Sequence, residues 1–180
     1  MAPPIGRGSG DARGRASGYA ISMKARAALR DRTAPDGGAG CPFCAGTGGA
    51  VVWRDARCRV VVAAEPFAGF CRVVWNAHAR EMTDLAPGDR AHLMGVVFAT
   101  EAALRYLLQP LKMNLASPRN LVPHVRRHVD LHVIPRFADD SHFPQAVWGA
   151  RQRDAAPKAL PEGFEDALAA RLAGALGAPA

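Results

Sequence analysis

Residues 120–136 read NLVPHVRRHVDLHVIPR, and this segment constrains the fold more than any other part of the chain. His124, His128 and His132 recur every fourth residue, a spacing that aligns them on a helix as well as on a strand. The many β-branched residues, bracketed by Pro123 and Pro135, favour a strand. Because alternate side chains of a strand face the same way, we predict one core face and one ionisable face. The ionisable face consists of His124, Arg126, His128, Asp130 and His132.

The composition is that of one folded domain preceded by a basic extension. The 180 residues carry a net charge of +7, and a chain of this length can bury a substantial core. Residues 1–40 hold seven Lys or Arg against three Asp or Glu, so this segment supplies +4 of the charge. Since its hydrophobic periodicity is poor, we expect residues 1–40 to be disordered, with translation starting at Met1 or at Met23.

The charge distribution argues against a nucleic-acid-binding protein, because much of the basic character lies in this extension. A weaker hypothesis assigns nucleic-acid binding to the extension, and it predicts salt-dependent binding that is lost when residues 1–40 are removed. The sequence shows no run of about 20 apolar residues, so we expect no membrane span. It also shows no secretory signal, and we expect a cytoplasmic protein.

Two of the four cysteines, Cys41 and Cys44, form a C-x-x-C pair beside a glycine-rich turn. Two thiolates at this spacing can bind one tetrahedral metal ion, for which zinc is the usual choice, although they supply only half of a site. A redox-active dithiol is the alternative, but no βαβ pattern follows the pair. Cys58 and Cys71 lie in apolar segments, where we expect them to be buried in the core of a protein from a reducing compartment.

The rest of the pattern predicts a hairpin, a third strand, a long helix, a further strand and a C-terminal helix. Thr83 or Asp84 is the expected cap of the long helix, and Pro110 ends it. The predicted order is that of an α+β domain. The predicted elements span residues 51–53 and 58–64, 70–75, 84–109, 112–116 and 162–176.

The residues His128-Val-Asp-Leu-His-Val-Ile-Pro-Arg136 resemble the signature of the histidine-triad (HIT) family, in which three histidines alternate with apolar residues before Pro-Arg. Counted back from His132, Asp130 stands at the position of the central histidine. Counted forward from His124, that position falls on Arg126. A four-residue expansion of the segment explains the additional histidine, His124. The resemblance runs from Cys41 to Trp148 and is closest to bacterial members with an N-terminal C-x-x-C pair. We therefore expect a basic extension (1–40), a HIT domain (41–150) and a C-terminal helical segment (151–180).

The resemblance implies an α+β fold whose antiparallel sheet continues across a two-fold homodimer. It also implies nucleotide binding and chemistry at an α-phosphate, with a nucleotidyl-enzyme intermediate formed on the central triad residue. Here His128 or Asp130 is the expected attacking group and His132 assists at the phosphate. Asn114, His124 and His132 are the expected substrate-binding residues.

Zinc-bearing relatives use the C-x-x-C pair, a histidine at a strand end and the first triad histidine as ligands. The resemblance carries these roles to Cys41, Cys44 and His78, with His128 or His124 as the fourth ligand. Such a closed site is structural.

We therefore expect a HIT-type hydrolase or nucleotidyltransferase that acts on a phosphoramidate or a dinucleoside polyphosphate. The alternative is a nucleotide- and zinc-binding protein of the same fold with little turnover, because the central histidine is replaced.

Overall fold

The computed structural model describes residues 40–117 and 128–180. Its five strands form one antiparallel sheet in the order β1-β2-β3-β5-β4, with helices packed against it, as predicted for an α+β domain. In chain order the elements are α1 (Pro42–Ala45), β1 (Ala50–Arg54), β2 (Cys58–Val62), β3 (Cys71–Trp75), α2 (Pro87–Leu108), β4 (Lys112–Ala116), β5 (Asp130–Arg136) and α3 (Phe164–Leu176).

A side chain closes the turn between β1 and β2. The Oδ1 atom of Asp55 accepts hydrogen bonds from the backbone N–H groups of Arg57 (2.8 Å) and Cys58 (2.7 Å). An aspartate that bonds to the backbone two and three residues on stabilises a tight turn. The hairpin predicted from the sequence is therefore confirmed.

The pairing of β3 with β5 decides which side chains share a face of the sheet. Val73 lies opposite Leu131, whereas Val74 lies opposite Asp130. Val73 and Leu131 belong to the main core beside the long helix. Val74 instead packs with Cys41 and Phe43. Since cross-strand partners point to the same side, Asp130 and His132 lie on the face away from α2.

Helix α2 begins three residues later than predicted, at Pro87, and neither Thr83 nor Asp84 caps it. The residue before the helix is Ala86, which makes no side-chain cap. Asp84 ends a short 3₁₀ turn instead, where it and Glu81 form a capping box. Proline in the first helical turn costs nothing, because that N–H has no helical partner. At the other end Gln109, before Pro110, adopts the left-handed conformation.

By length and composition alone, α2 is long and apolar enough to cross a membrane, which the sequence analysis did not expect. Its packing is that of a core helix. One face, which includes Leu93, Val96 and Leu104, is fully buried against the sheet and α3.

The C-terminal helix was predicted correctly. Phe164, Leu168 and Leu172 are buried on one face of α3 and complete the main core. The Nε1 atom of Trp53 donates a hydrogen bond to the carbonyl oxygen of Gly177 (3.1 Å), which ties the end of α3 to β1.

Two sequence predictions fall outside the described residues. One is the state of residues 1–39, and the other is the conformation of residues 118–127, which include His124 and Arg126. The strand predicted for residues 120–136 begins only at Asp130 within the described part, and His128 precedes it.

Candidate functional site: a metal centre beside an altered triad

The C-x-x-C pair lies on a single helical turn. The N–H groups of Cys44 and Ala45 both donate to the carbonyl oxygen of Cys41, at 3.1 and 3.0 Å. Pro42 opens the turn, where a proline is tolerated. Phe43 is buried against the sheet and fixes the orientation of the turn. Both thiols therefore point to one place, with Cys41 buried and Cys44 exposed.

Two histidines reach the same place from the sheet. His78 follows β3, and His128 lies two residues before β5. Backbone hydrogen bonds hold these ends together, since the N–H of Val129 donates to the carbonyl of Ala79 (2.8 Å) and the N–H of Trp75 to that of Val129 (3.0 Å).

The ring of His128 has a fixed orientation. Its Nε2 lies 2.6 Å from the carbonyl oxygen of Trp75. A carbonyl only accepts, so Nε2 carries the proton and Nδ1 presents its lone pair to the cysteines. Histidine ligands of metals are commonly oriented by such a bond from the second ring nitrogen.

The four ligand atoms have the spacing of a tetrahedral site. They all lie within 4.8 Å of one another. Nδ1 of His128 is 3.4 Å from Sγ of Cys41 and 3.7 Å from Sγ of Cys44. Nδ1 of His78 is 3.4 Å both from Sγ of Cys44 and from Nδ1 of His128. Zinc bond lengths and a tetrahedral angle require about 3.6 Å between sulfur and nitrogen and about 3.3 Å between nitrogens. The residues present thus fit a zinc ion.

The protonation equilibria of the cluster follow from its burial. Burial is the main cause that lowers the pKa of His128, and it favours the neutral imidazole that a metal requires. Burial, together with the neighbouring Cys41, raises the pKa of Cys44, while Arg59 opposes this shift. Without a metal, these shifts favour the neutral forms of His128 and Cys44.

Asp130 and His132 form a second group, on β5. Nε2 of His132 lies 3.1 Å from Oδ2 of Asp130, and Asp130 is fully buried. The ring of Phe70 contacts His132 edge to face, with 4.9 Å between centroids. A carboxylate and an imidazole thus lie side by side at the second and third triad positions.

Asn114 is anchored by a network that the sequence analysis missed. Its Oδ1 accepts a hydrogen bond of 2.6 Å from Arg136, which is itself buried. Arg136 also donates two bonds to Asp140, at 2.7 and 2.8 Å. Although burial alone would raise it, these bonds and those from the backbone N–H groups of His142 and Phe143 lower the pKa of Asp140 to about 2. The sequence signal for this network was the position of Asp140, four residues after Arg136.

Asp55, Cys58 and His92 make a second cluster of possible metal ligands. A guanidinium N–H of Arg57 donates to Nδ1 of His92 (2.7 Å), so Nε2 carries the proton and donates to Asp55 (2.7 Å). Burial raises the pKa of Cys58 to about 12, which keeps its thiol protonated. In this cluster Nδ1 of His92 already accepts a hydrogen bond and the thiol of Cys58 stays protonated, so neither is poised to bind a cation.

The sequence model of the HIT domain matches residues 47–139, slightly more than half of the chain. No curated protein sequence matches the chain. Among solved structures, a histidine triad protein from Bradyrhizobium japonicum is similar, with 26% identity, a TM-score of 0.56, and coverage of 70% of this chain and 92% of the other.

A Zn-bound histidine triad family protein from Mycobacterium smegmatis is 25% identical, with a TM-score of 0.54 and coverage of 77% and 96%. A histidine triad (HIT) protein from Sinorhizobium meliloti 1021 is 24% identical, with a TM-score of 0.56 and coverage of 72% and 91%. The fold, the match of the domain model over β1 to β5 and the altered signature on β5 all point to the same family. This chain belongs to the HIT domain family.

Proposed function

We propose that this protein is a HIT-type nucleotide hydrolase or nucleotidyltransferase that acts at the α-phosphate of a phosphoramidate or dinucleoside polyphosphate. The observation that carries the proposal is the pair of Asp130 and His132 on β5, at the last two triad positions, on the sheet face opposite the core helix.

Asp130 is a better candidate than His128 for the attacking group. Both ring nitrogens of His128 are engaged, Nε2 by the Trp75 carbonyl and Nδ1 by the cysteine cluster. In the proposed reaction a carboxylate oxygen of Asp130 attacks the α-phosphorus and forms an acyl phosphate. His132 gives its proton to the departing amine or phosphate. Water then cleaves the acyl phosphate, which releases the nucleoside monophosphate and restores the carboxylate.

A cavity next to the C-terminal end of β5 can accept the rest of a nucleotide. Its volume is about 490 Å³, and Phe67, Phe137, Arg151 and Lys158 are among its lining residues. Phe67 packs against the cluster of Ala63, Phe70 and Ile134, and the ring of Phe70 contacts His132. Aromatic walls suit a base and the cations suit phosphates.

The alternative is a nucleotide-binding protein of the same fold with little turnover. It is favoured by the full burial of Asp130, because a buried carboxylate is harder to bring into line with a phosphorus atom. The experiment described below separates the two.

We infer that Cys41, Cys44, His78 and His128 hold one zinc ion with a structural role. The support is the tetrahedral spacing of the donor atoms, together with the zinc in the M. smegmatis relative. All four positions belong to the protein, so no position is open for substrate. His124, the other candidate for the fourth ligand, lies outside the described residues. The free thiols are consistent with a reducing cytoplasm, where we place the protein.

We also propose a homodimer formed through β4, which is an edge strand of the described sheet. Leu115 on this strand is 42% exposed, and Phe98 and Tyr106 on α2 are 56% and 64% exposed. Leu115 lies opposite Val133 and therefore on the same side of the sheet as α2. An open edge strand that carries an exposed apolar side chain suits a two-fold pairing of sheets.

The test is hydrolysis of adenosine 5′-phosphoramidate by wild-type protein, His132→Ala and the control His92→Ala, with AMP binding measured by calorimetry. We expect turnover in the wild type and in His92→Ala, and its loss in His132→Ala. AMP binding without wild-type turnover would favour the nucleotide-binding protein. The absence of both AMP binding and turnover would contradict both hypotheses.

A further inference from the structure

Arg59 is a buried arginine of β2 that makes four hydrogen bonds, three of them to one turn. It is only 8% exposed. One terminal nitrogen donates to the carbonyl oxygens of Phe43 (2.8 Å) and Gly46 (3.2 Å), and its Nε donates to that of Thr47 (3.0 Å). These three carbonyls surround the turn that carries Cys41 and Cys44.

The fourth bond connects the same guanidinium to the strand end that leads to His78. The other terminal nitrogen of Arg59 donates to Oδ1 of Asn76 at 3.0 Å. Asn76 is held in turn by its own backbone N–H, which donates to the carbonyl of Arg57 (2.8 Å), and by its side-chain amide, which donates to that of Asp55 (3.0 Å). Asn76 precedes His78 by two residues.

We propose that Arg59 is a positioning residue that preorganises the metal centre by fixing the Cys41–Cys44 turn against the strand end that carries His78. This inference rests on the zinc site proposed above. A free C-x-x-C turn must be ordered when the ion binds, and that ordering costs conformational entropy. Arg59 orders the turn before the ion binds, so the metal meets ligands that are already in place.

The geometry requires an arginine at this position. The acceptors lie in different directions around one planar group, and a guanidinium has five donors in a fixed fork. A lysine has three donors on one atom and cannot reach four separated oxygens. The positive charge also lies close enough to Cys41 and Cys44 to interact with both.

Arg54 provides a matched control. It lies directly opposite Arg59 in the pairing of β1 with β2, but it is exposed. We would compare wild type, Arg59→Gln, Arg59→Lys and Arg54→Gln. Zinc affinity is measured by competition with a chromophoric chelator. Circular dichroism of the metal-free proteins shows whether each is folded at the temperature used. The visible spectrum of the Co²⁺-loaded proteins reports the coordination geometry.

We expect both Arg59 variants to bind zinc roughly 10- to 100-fold more weakly than wild type, the usual effect of losing a residue that orients metal ligands. We expect weaker Co²⁺ bands for them and no change for Arg54→Gln. If Arg59→Gln does not fold, the zinc affinity of Arg59→Lys is compared with that of wild type instead. Wild-type zinc affinity in a folded Arg59 variant would overturn this inference alone. A wild-type protein that takes up no zinc would overturn the zinc site and this inference together.

Discussion

Nδ1 of His128 lies 3.4 Å from Sγ of Cys41, although the two residues are 87 positions apart in the chain. One comes from the turn before β1 and the other from the segment that enters β5. A metal ion between them would therefore join the start of the domain to the strand that carries Asp130 and His132.

The first prediction concerns this connection. Cys41→Ser should reduce the zinc content from about one ion per chain to nearly none. It should also lower the free energy of unfolding by about 3 kcal/mol or more, because metal binding contributes to folding. Elemental analysis and thermal unfolding check both. Cys71→Ser is the control, since that thiol is buried in β3 away from the cluster and its zinc content should not change. Metal-free wild-type protein as stable as the loaded form would contradict the prediction.

The second prediction concerns the attacking group. Asp130→Asn keeps the shape of the side chain but removes the charge, so kcat for adenosine 5′-phosphoramidate should fall about 10³-fold or more. A trapped wild-type intermediate should react with hydroxylamine, as acyl phosphates do, and mass spectrometry should place it on Asp130. If the wild type is inactive while Asp130→His gains turnover, the nucleotide-binding reading is correct instead.

The third prediction concerns pH. The pKa of Asp140 falls from 3.8 to about 2 in the folded protein, and its side chain is only 13% exposed. A lowered folded-state pKa means that the carboxylate stabilises the fold above about pH 4 and loses this effect as the pH falls towards 2. The shift corresponds to about 2 kcal/mol.

Asp140→Asn should therefore be less stable than wild type by about this amount at pH 7, with the difference shrinking between pH 4 and pH 2. Urea unfolding across this range measures it. Asp139→Asn, which changes the exposed neighbour, is the control. A pH-independent difference would show that the ion pair with Arg136 is not its source.

The fourth prediction concerns assembly. Phe98→Glu combined with Leu115→Lys places charges on exposed apolar positions of α2 and β4, so the proposed dimer should become a monomer. Size-exclusion chromatography with light scattering measures the molar mass of each variant. Met82→Glu changes another exposed apolar residue and should stay dimeric. A monomeric wild type at high protein concentration would exclude the proposed dimer.

The fifth prediction concerns the cavity that Phe67 lines. Phe67→Ala removes an aromatic wall and should raise KM for the nucleotide substrate about 10-fold, with kcat little changed, because the base is bound equally in the ground and transition states. Steady-state kinetics measure both constants. Trp148→Ala, at a half-exposed position outside the cavity lining, is the control. An unchanged KM would place the base elsewhere.

Much of the fold was predictable, because its elements have strong local patterns. The consecutive valines of β2 and β3, the apolar face of α3 and the end of α2 at Pro110 all depend on nearby residues. The start of α2 was predicted wrongly. Aspartate is a residue type that often caps helices, but Asp84 instead closes a separate 3₁₀ turn with Glu81.

The candidate site was predictable only as a set of residues. The spacing of the C-x-x-C pair and the family signature named Cys41, Cys44 and His78 in advance, but not their distances. The bonds of Arg59 to Asn76 and of Arg136 to Asn114 were not predictable, since each joins groups far apart in sequence. A charged residue within an apolar strand is ambiguous until its partners are known.

The uneven exposure of the four cysteine sulfur atoms has a practical consequence. Cys44 is exposed, Cys41 is buried, and burial raises the pKa of Cys58 and of Cys71 to about 12, so those two remain unreactive thiols at neutral pH. An alkylating dye should therefore label mainly one position, and a bound ion should block it. The rate of labelling therefore measures the fraction of the protein in a preparation that carries its metal.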